Sequence, residues 1–193
     1  DRGAELRGHQ PRIERCRKPV IAALHGFAVG GGFELALACH HRVALRDTRL
    51  ALPEIRHGVL PPTGSQRLPR AIGAERSLEL MLTAQTVRAD TFAATPLFDA
   101  LCDGDVVEAA CALAATLAAH EAPARRLLRH RPLDRVETSQ AIAAWRDKLQ
   151  ADPHATLAMA RCVEAVEHAV TAADFDAGLA AAKRLHDGLA ASL

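Results

Sequence analysis

The chain has 193 residues, 49% of them hydrophobic, which is enough for one substantial core and hardly enough for two. Its formal charge is +1, and it has only five Phe and one Trp with no Tyr, so nothing indicates a nucleic-acid partner. The five cysteines have no C-x-x-C spacing, which argues against a disulfide framework or a structural zinc site and indicates reduced thiols in a cytoplasmic compartment.

The first half of the chain predicts alternating strands and helices. Residues 19–24 form a short apolar run typical of a buried parallel strand; polar residues lead almost directly into it, and a helix over 31–39 follows. Further strands are predicted over 41–45 and 49–52, the second of which ends at Pro53. The order is therefore β-α-β.

Helices dominate the rest of the chain. Thr63 and Gln66 have the T-x-x-Q spacing of a capping box and predict a helix through Ile72 that ends at Gly73. A last strand is predicted over 98–101. The other predicted helices cover 75–82, 106–120, 124–129, 139–150, 154–170 and 174–189. The sequence thus predicts an α/β core over 1–105 and a helical region over 106–193 that packs on it.

Three consecutive glycines lie at the start of the first predicted helix. Gly30, Gly31 and Gly32 leave the main chain bare, and the N–H groups of a helix's first turn favour negative charge. Glu34 follows in the same turn. On its own, this motif favours a plain connector in which Glu34 partners the helix dipole.

A second carboxylate, Glu54, follows Pro53 at the end of a predicted strand. Open α/β sheets place their sites at strand ends, so Glu34 and Glu54 can return to one edge of the sheet. Two carboxylates in one cleft repel, so one takes a raised pKa and keeps its proton while the other stays ionised. Such a pair supplies an acid and a base. The alternative for Glu54 is a surface cap after proline.

Several sequence blocks accompany these residues in a fixed order. Residues 18–37 read KPVIAALHGFAVGGGFELAL, and LPEI at 52–55, GVLP at 58–61, QRLPR at 66–70 and LFDAL at 97–101 follow. Together they resemble the signature of the crotonase (enoyl-CoA hydratase/isomerase) superfamily. RCVEAVEHAV at 161–170 and FDAGL at 175–179 are similar to the end of the hydratase part of multifunctional β-oxidation enzymes.

The resemblance implies a crotonase-like ββα spiral core, incomplete at the N-terminus because an upstream part is absent, and it implies residue roles. Glu34 and Glu54 would be the catalytic acid/base pair, and Gly31 would donate its N–H to a thioester oxygen in the oxyanion hole. The family's second donor lies in a Gly-Ala-Asp-Ile loop that GAEL at 3–6 matches, which makes Ala4 the candidate. The implied substrate-binding positions are Gly30, Gly32, Phe27 and Pro61.

The activity that the resemblance implies is enoyl-CoA hydratase, a lyase of fatty acid β-oxidation, because both glutamates are present. An enoyl-CoA isomerase and a non-catalytic remnant that serves assembly are the alternatives. An acyl-CoA thioester is the expected partner, with no nucleic acid and no membrane span, in a homo-oligomer or beside a dehydrogenase domain in a longer chain.

No cofactor or metal is expected. CoA would enter as part of the substrate, and no strand is followed by the G-x-G-x-x-G pattern of an NAD-binding module. Cys39, His40 and His41 are neighbours whose side chains diverge, and no second ligand pair follows at usable spacing.

Overall fold

Two small sheets and a set of helices make up the computed structural model, which describes residues 2–119 and 126–193. The strands are β1 (Ile21–Leu24), β2 (Phe27–Val29), β3 (His41–Leu45), β4 (Arg49–Ala51), β5 (Val87–Arg88) and β6 (Ala100–Cys102). The helices are α1 (Arg2–Glu14), α2 (Gly31–Ala38), α3 (Gly64–Arg67), α4 (Pro69–Ile72), α5 (Ala74–Thr83), α6 (Val106–Ala118), α7 (Arg135–Ala151), α8 (Leu157–Thr171) and α9 (Phe175–Ala190). Turns of 3₁₀ helix cover Glu54–His57, Ala89–Phe92 and Leu128–His130.

The sheets are built from a repeated ββα step. One sheet has the order β1-β3-β6 with parallel pairing throughout, and the other has the order β2-β4-β5. β2 pairs with β4 in parallel, whereas β4 pairs with β5 antiparallel. Each step therefore adds one strand to each sheet before a helix returns the chain. This confirms the predicted α/β class and the ββα character of the core.

One apolar core joins the strands to the C-terminal helices. It includes Phe33 and Leu37 of α2, Leu50 of β4, Val166 of α8 and Ala182 of α9. Helix α8 packs on α3 and α5, and α9 packs on α3 and α8. The helical region thus covers the core, while the boundary at residues 105 and 106 stays a prediction. No helix within 2–119 and 126–193 is both long enough and apolar enough to cross a membrane.

Helix α1 was not expected, because its sequence is polar and contains Pro11. Pro11 lowers its helix propensity, so tertiary contacts stabilise this helix. Glu14 is buried and accepts hydrogen bonds from Arg67 Nη2 at 2.8 Å and Nε at 3.0 Å, and Gln10 Oε1 accepts one from Arg67 Nη1 at 3.2 Å. This buried cluster fastens α1 to α3.

The predicted capping box is wrong. Thr63 lies near the helical region of φ and ψ and makes no cap; its Oγ1 accepts a hydrogen bond from Gln10 Nε2 at 3.1 Å. Gln66 Nε2 donates to the carbonyl of Ala165, 2.6 Å away in α8. The single predicted helix is two short ones, α3 and α4, because Pro69 has no N–H to continue the ladder.

Two other predicted helices extend partly outside the described residues. His120, the end of the helix predicted over 106–120, lies outside them, and so do the first two residues of the helix predicted over 124–129. The rest of that second prediction is wrong, since residues 126 and 127 are not helical and a 3₁₀ turn begins at Leu128.

Two glycines on α9 differ sharply in their surroundings. A Cβ on Gly178 would lie 2.7 Å from Gln66 Oε1 and 2.9 Å from the carbonyl oxygen of His168, whereas a Cβ on Gly188 would meet nothing within 4 Å. We expect Gly178→Ala to lower the free energy of unfolding by about 1–3 kcal/mol through overpacking. Gly188→Ala should raise it by up to about 1 kcal/mol through helix propensity. Urea unfolding measures both, and equal responses would contradict the packing of α9 against α3 and α8.

Candidate active site

The second sheet brings Glu34 and Glu54 to one edge. β2 and β4 are parallel neighbours in which Val29 pairs with Ala51, and the N–H of Gly30 donates to the Ala51 carbonyl at 2.9 Å. Helix α2 follows β2, and the 3₁₀ turn that begins at Glu54 follows β4. The glutamates return to one edge as expected, although the strand that leads into the glycines is β2, which the sequence did not predict.

Glu34 is fully buried, and its carboxyl group is held by backbone donors. Its Oε1 accepts hydrogen bonds from the N–H of Thr63 at 2.8 Å and of Gly64 at 2.7 Å. A Cβ on Gly64 would lie 2.9 Å from Leu52 Cδ1, so glycine lets this donor approach. Within the part of the chain that the structure describes, the buried Oε2 has no hydrogen-bond partner. One oxygen is therefore fixed and the other is available.

Glu54 faces the same space. Its Oε1 lies 3.2 Å from where a Cβ on Gly30 would stand, and its buried Oε2 has no hydrogen-bond partner among residues 2–119 and 126–193. Burial raises the pKa of Glu54 to about 8, and the neighbouring charge of Glu34 contributes to the rise. Glu54 thus keeps its proton near neutral pH. A surface cap after proline does not describe this half-buried side chain, whose Oε2 is buried.

The glycines before Glu34 have separate roles in the backbone. Gly30 has φ 54° and ψ −130°, a conformation that disfavours any residue with a side chain, and it caps α2 without a side-chain hydrogen bond. Gly31 begins α2, so its N–H has no acceptor within the helix. Gly32 is exposed, and a Cβ there would meet nothing within 4 Å. A ligand can therefore approach the start of α2.

The other predicted site residues are spread around this edge. Ala4 lies in helix α1, so the expected loop over 3–6 is wrong, while its role as a donor stays a prediction. Phe27 on β2 is 77% exposed, and Pro61 is buried beside Gly64. The structure thus groups Gly30, Glu34 and Glu54, with Pro61 next to the donor of Glu34.

Four neighbours of the carboxyl pair were missed as site residues. Thr63 and Gly64 act through backbone N–H groups, which no side-chain pattern reveals. Cys162 of α8 lies near Glu54; its burial, with a contribution from the charge of Glu54, raises the thiol pKa to about 12. The positive charge of Arg7 favours the ionised form of Glu54 and opposes the rise in its pKa.

Two concave surfaces adjoin this region. An apolar groove of about 680 Å³ runs along β1, β2 and the face of α2 that carries Gly32, Leu35 and Ala36. By helical spacing that face points away from Glu34. A second cavity, of about 520 Å³, lies beside Thr63 and is lined by Arg7, Gln10, Arg67, Lys183 and Asp187 among others. It borders the backbone segment that holds Glu34.

Cys39, His40 and His41, the candidates for a metal site, lie in structural surroundings. His40 Nδ1 accepts the N–H of Val20 at 3.0 Å, and His41 Nδ1 lies 2.9 Å from Asp99 Oδ1. Cys39 is buried at the end of α2, and burial raises its pKa to about 11. These three residues belong to the packing between β3 and its neighbours.

Comparison with known proteins adds a family and several relatives. The profile of the family described as enoyl-CoA hydratase/isomerase matches residues 3–181. A probable enoyl-CoA hydratase of Bacillus subtilis (strain 168) is 43% identical over 121 residues, covering 61% of this chain and 46% of the relative. The human peroxisomal bifunctional enzyme is 34% identical over 183 residues, covering 87% of this chain and 25% of the relative. The chain spans less than half the length of either.

Solved structures share the fold. The crystal structure of an enoyl-CoA hydratase from Bacillus anthracis has a TM-score of 0.58 at 27% identity, covering 87% of this chain and 60% of that one. The structure of Pseudomonas aeruginosa DspI has a TM-score of 0.59 at 31% identity, covering 77% of this chain and 61% of that one.

Proposed function

Because this chain belongs to the enoyl-CoA hydratase/isomerase family, we propose that it hydrates 2-enoyl-CoA thioesters by adding water across the 2,3 double bond. The observation that carries the proposal is the pair of carboxyl groups, Glu34 and Glu54, at one edge of the sheet. Each has a buried oxygen without a partner among the described residues. Buried unpaired polar atoms cost free energy and are typical of functional sites.

The two carboxyl groups divide the proton chemistry. Glu54 keeps its proton near neutral pH, so it donates that proton to Cα of the enoyl group. Glu34 takes a proton from water through its free Oε2 as the water oxygen attacks Cβ. The product gains OH at Cβ and H at Cα, and transfer of one proton from Glu34 to Glu54 restores the pair. A positioned acid or base of this kind contributes about 10²- to 10⁴-fold in rate.

The start of α2 stabilises the charge that develops on the thioester oxygen. The Gly31 N–H is the proposed first donor, and the Ala4 N–H of α1 is the second. Preorganised donors gain strength where water is excluded, and each contributes about 10²- to 10³-fold. Gly30, Gly32, Phe27 and Pro61 are the proposed contacts for the rest of the acyl-CoA.

The cavity beside Thr63 suits an anionic ligand. Arg7, Arg67 and Lys183 contribute cationic groups to its lining, against the single carboxylate of Asp187. Arg7 and Lys183, which line this cavity, are the cations proposed to meet the phosphates of CoA. Arg67 forms an ion pair with Glu14. No cofactor other than this substrate-borne CoA is proposed.

The assembly and the compartment are also proposals. One named relative is a bifunctional enzyme, which supports the proposal of a fused dehydrogenase domain in a longer chain. A homo-oligomer is the alternative proposal. None of the five cysteines forms a disulfide in the described part of the chain, which supports the proposal of a reducing, cytoplasmic compartment.

Loss of the enoyl thioester absorbance of crotonyl-CoA tests the proposed function. We expect the purified chain to consume crotonyl-CoA and to form a 3-hydroxyacyl-CoA. A 3-enoyl-CoA, supplied separately, distinguishes the isomerase alternative by the accumulation of 2-enoyl-CoA. Failure to transform either substrate, with the fold intact by circular dichroism, would contradict the proposal and favour an assembly role.

A further inference from the structure

We propose that His186 of α9 is a positioning residue for Glu34, because it anchors the backbone segment whose N–H groups hold the Glu34 carboxylate. The catalytic meaning of this anchor rests on the proposed function, whereas the anchor itself does not. The segment covers residues 60–64, between the 3₁₀ turn after β4 and helix α3.

The anchor is a buried hydrogen bond. His186 is 8% exposed, and its Nδ1 lies 2.7 Å from the carbonyl oxygen of Leu60, which is fully buried. A carbonyl oxygen only accepts, so Nδ1 carries the proton in this contact. The bond connects residues 126 positions apart and joins the C-terminal helix to the start of the segment.

The segment transmits this constraint because it is stiff. Pro61 and Pro62 follow Leu60, so two successive φ angles are fixed and two N–H groups are missing. The Pro61 carbonyl accepts the N–H of Ser65 at 3.0 Å, which couples the prolines to the first turn of α3. The bond from Gln10 Nε2 at 3.1 Å contacts only the side-chain Oγ1 of Thr63 and does not hold its backbone N–H. A shift at Leu60 therefore moves the N–H groups of Thr63 and Gly64.

His186 is a polar residue on the buried face of α9. The buried face of this helix is otherwise apolar around it, with Ala182 one turn before and Leu189 nearly one turn after. An apolar side chain would continue that face but would leave the Leu60 carbonyl without its donor. Leaving a buried carbonyl oxygen unpaired costs more free energy than a typical hydrogen bond contributes. We therefore expect the segment to move until the Leu60 carbonyl finds another donor.

Two substitutions separate positioning from packing. His186→Leu removes the donor, whereas His186→Asn places an amide N–H close to the position of Nδ1. With crotonyl-CoA, we expect His186→Leu to lower kcat by about 10- to 100-fold with KM within about twofold, because misplacement of a catalytic group by about 1 Å has effects of this size. His186→Asn should recover kcat to within about threefold of the wild type. His154→Leu, at an exposed histidine, is the control.

Backbone amide NMR tests the anchor independently of enzymatic activity. The N–H groups of Thr63 and Gly64 donate to a carboxylate at 2.8 and 2.7 Å, so their proton resonances should lie downfield. We expect both to move upfield in His186→Leu and to stay in place in His186→Asn. If the wild type is inactive, these shifts still decide the anchor while the proposed function fails on its own.

Either of two results would overturn the inference: unchanged Thr63 and Gly64 resonances in His186→Leu, or a His186→Asn variant as impaired as His186→Leu. If His186→Leu does not fold, His186→Gln takes its place, because its amide stands one methylene further from Cα. Equal shifts and equal kcat in His186→Gln and His186→Asn would then contradict the anchor.

Discussion

Glu54→Gln is expected to gain stability relative to the wild type as the pH rises above 5. The pKa of Glu54 is about 8 in the folded chain against 4.5 for the free side chain, so between these values the folded state binds a proton that the unfolded state has released. Wild-type stability therefore falls with rising pH over this window, by about 1.4 kcal/mol per pH unit. Glutamine has no proton to lose and escapes this fall.

The measurement is urea unfolding of both proteins at several pH values. The difference in the free energy of unfolding should grow in favour of Glu54→Gln by about 3 kcal/mol between pH 5 and pH 7.5. Glu79→Gln, at an exposed glutamate of α5, is the matched control and should follow the wild type. A difference that stays constant with pH would contradict the raised pKa of the Glu54 carboxyl group.

Glu34→Gln is expected to lower kcat for crotonyl-CoA hydration by about 10²- to 10⁴-fold, the contribution of a positioned base. The amide oxygen of glutamine can still accept the N–H bonds of Thr63 and Gly64, so the fold and the segment should be preserved. Steady-state kinetics and circular dichroism measure the two properties separately, again with Glu79→Gln as the control. Retention of kcat within a few-fold would contradict a catalytic role for Glu34.

Local patterns were enough to predict much of the core. The strand predicted over 41–45 is β3 with the predicted bounds, and the glycine run does lead into helix α2. Helix α9 begins within one residue of its prediction, because Asp174 is a cap whose carboxylate accepts the N–H of Ala177 at 2.8 Å. These elements were predictable because their signals lie within a few residues of one another.

Elements that depend on distant contacts could not be predicted in this way. Helix α1 exists because Glu14 meets Arg67 at a separation of 53 residues. Strand β2 has three residues, too few for an alternating pattern to be recognised. The T-x-x-Q motif failed because Thr63 and Gln66 have better partners in α1 and α8.

The same distinction between local signals and distant contacts applies to the candidate site. Side chains set on recognisable motifs, Glu34 after the glycines and Glu54 after proline, were found in the sequence. The N–H donors of Thr63 and Gly64, the thiol of Cys162 and the anchor from His186 were not, since each acts across more than 25 residues of chain. Backbone donors carry no residue-type signal at all.

The pH dependence of kcat/KM for crotonyl-CoA hydration by the wild type tests most directly whether Glu54 is the acid of a catalytic carboxyl pair, because kcat/KM reports the pKa values of the free enzyme. If hydration needs the protonated form of Glu54, the pH profile of kcat/KM should have an alkaline limb. On that limb kcat/KM should be constant below about pH 7 and should fall about tenfold per pH unit above a midpoint near 8. In Glu54→Gln this limb should vanish from the residual activity. A kcat/KM that stays level or rises through pH 8, or a limb that persists unchanged in Glu54→Gln, would contradict a catalytic acid role for Glu54.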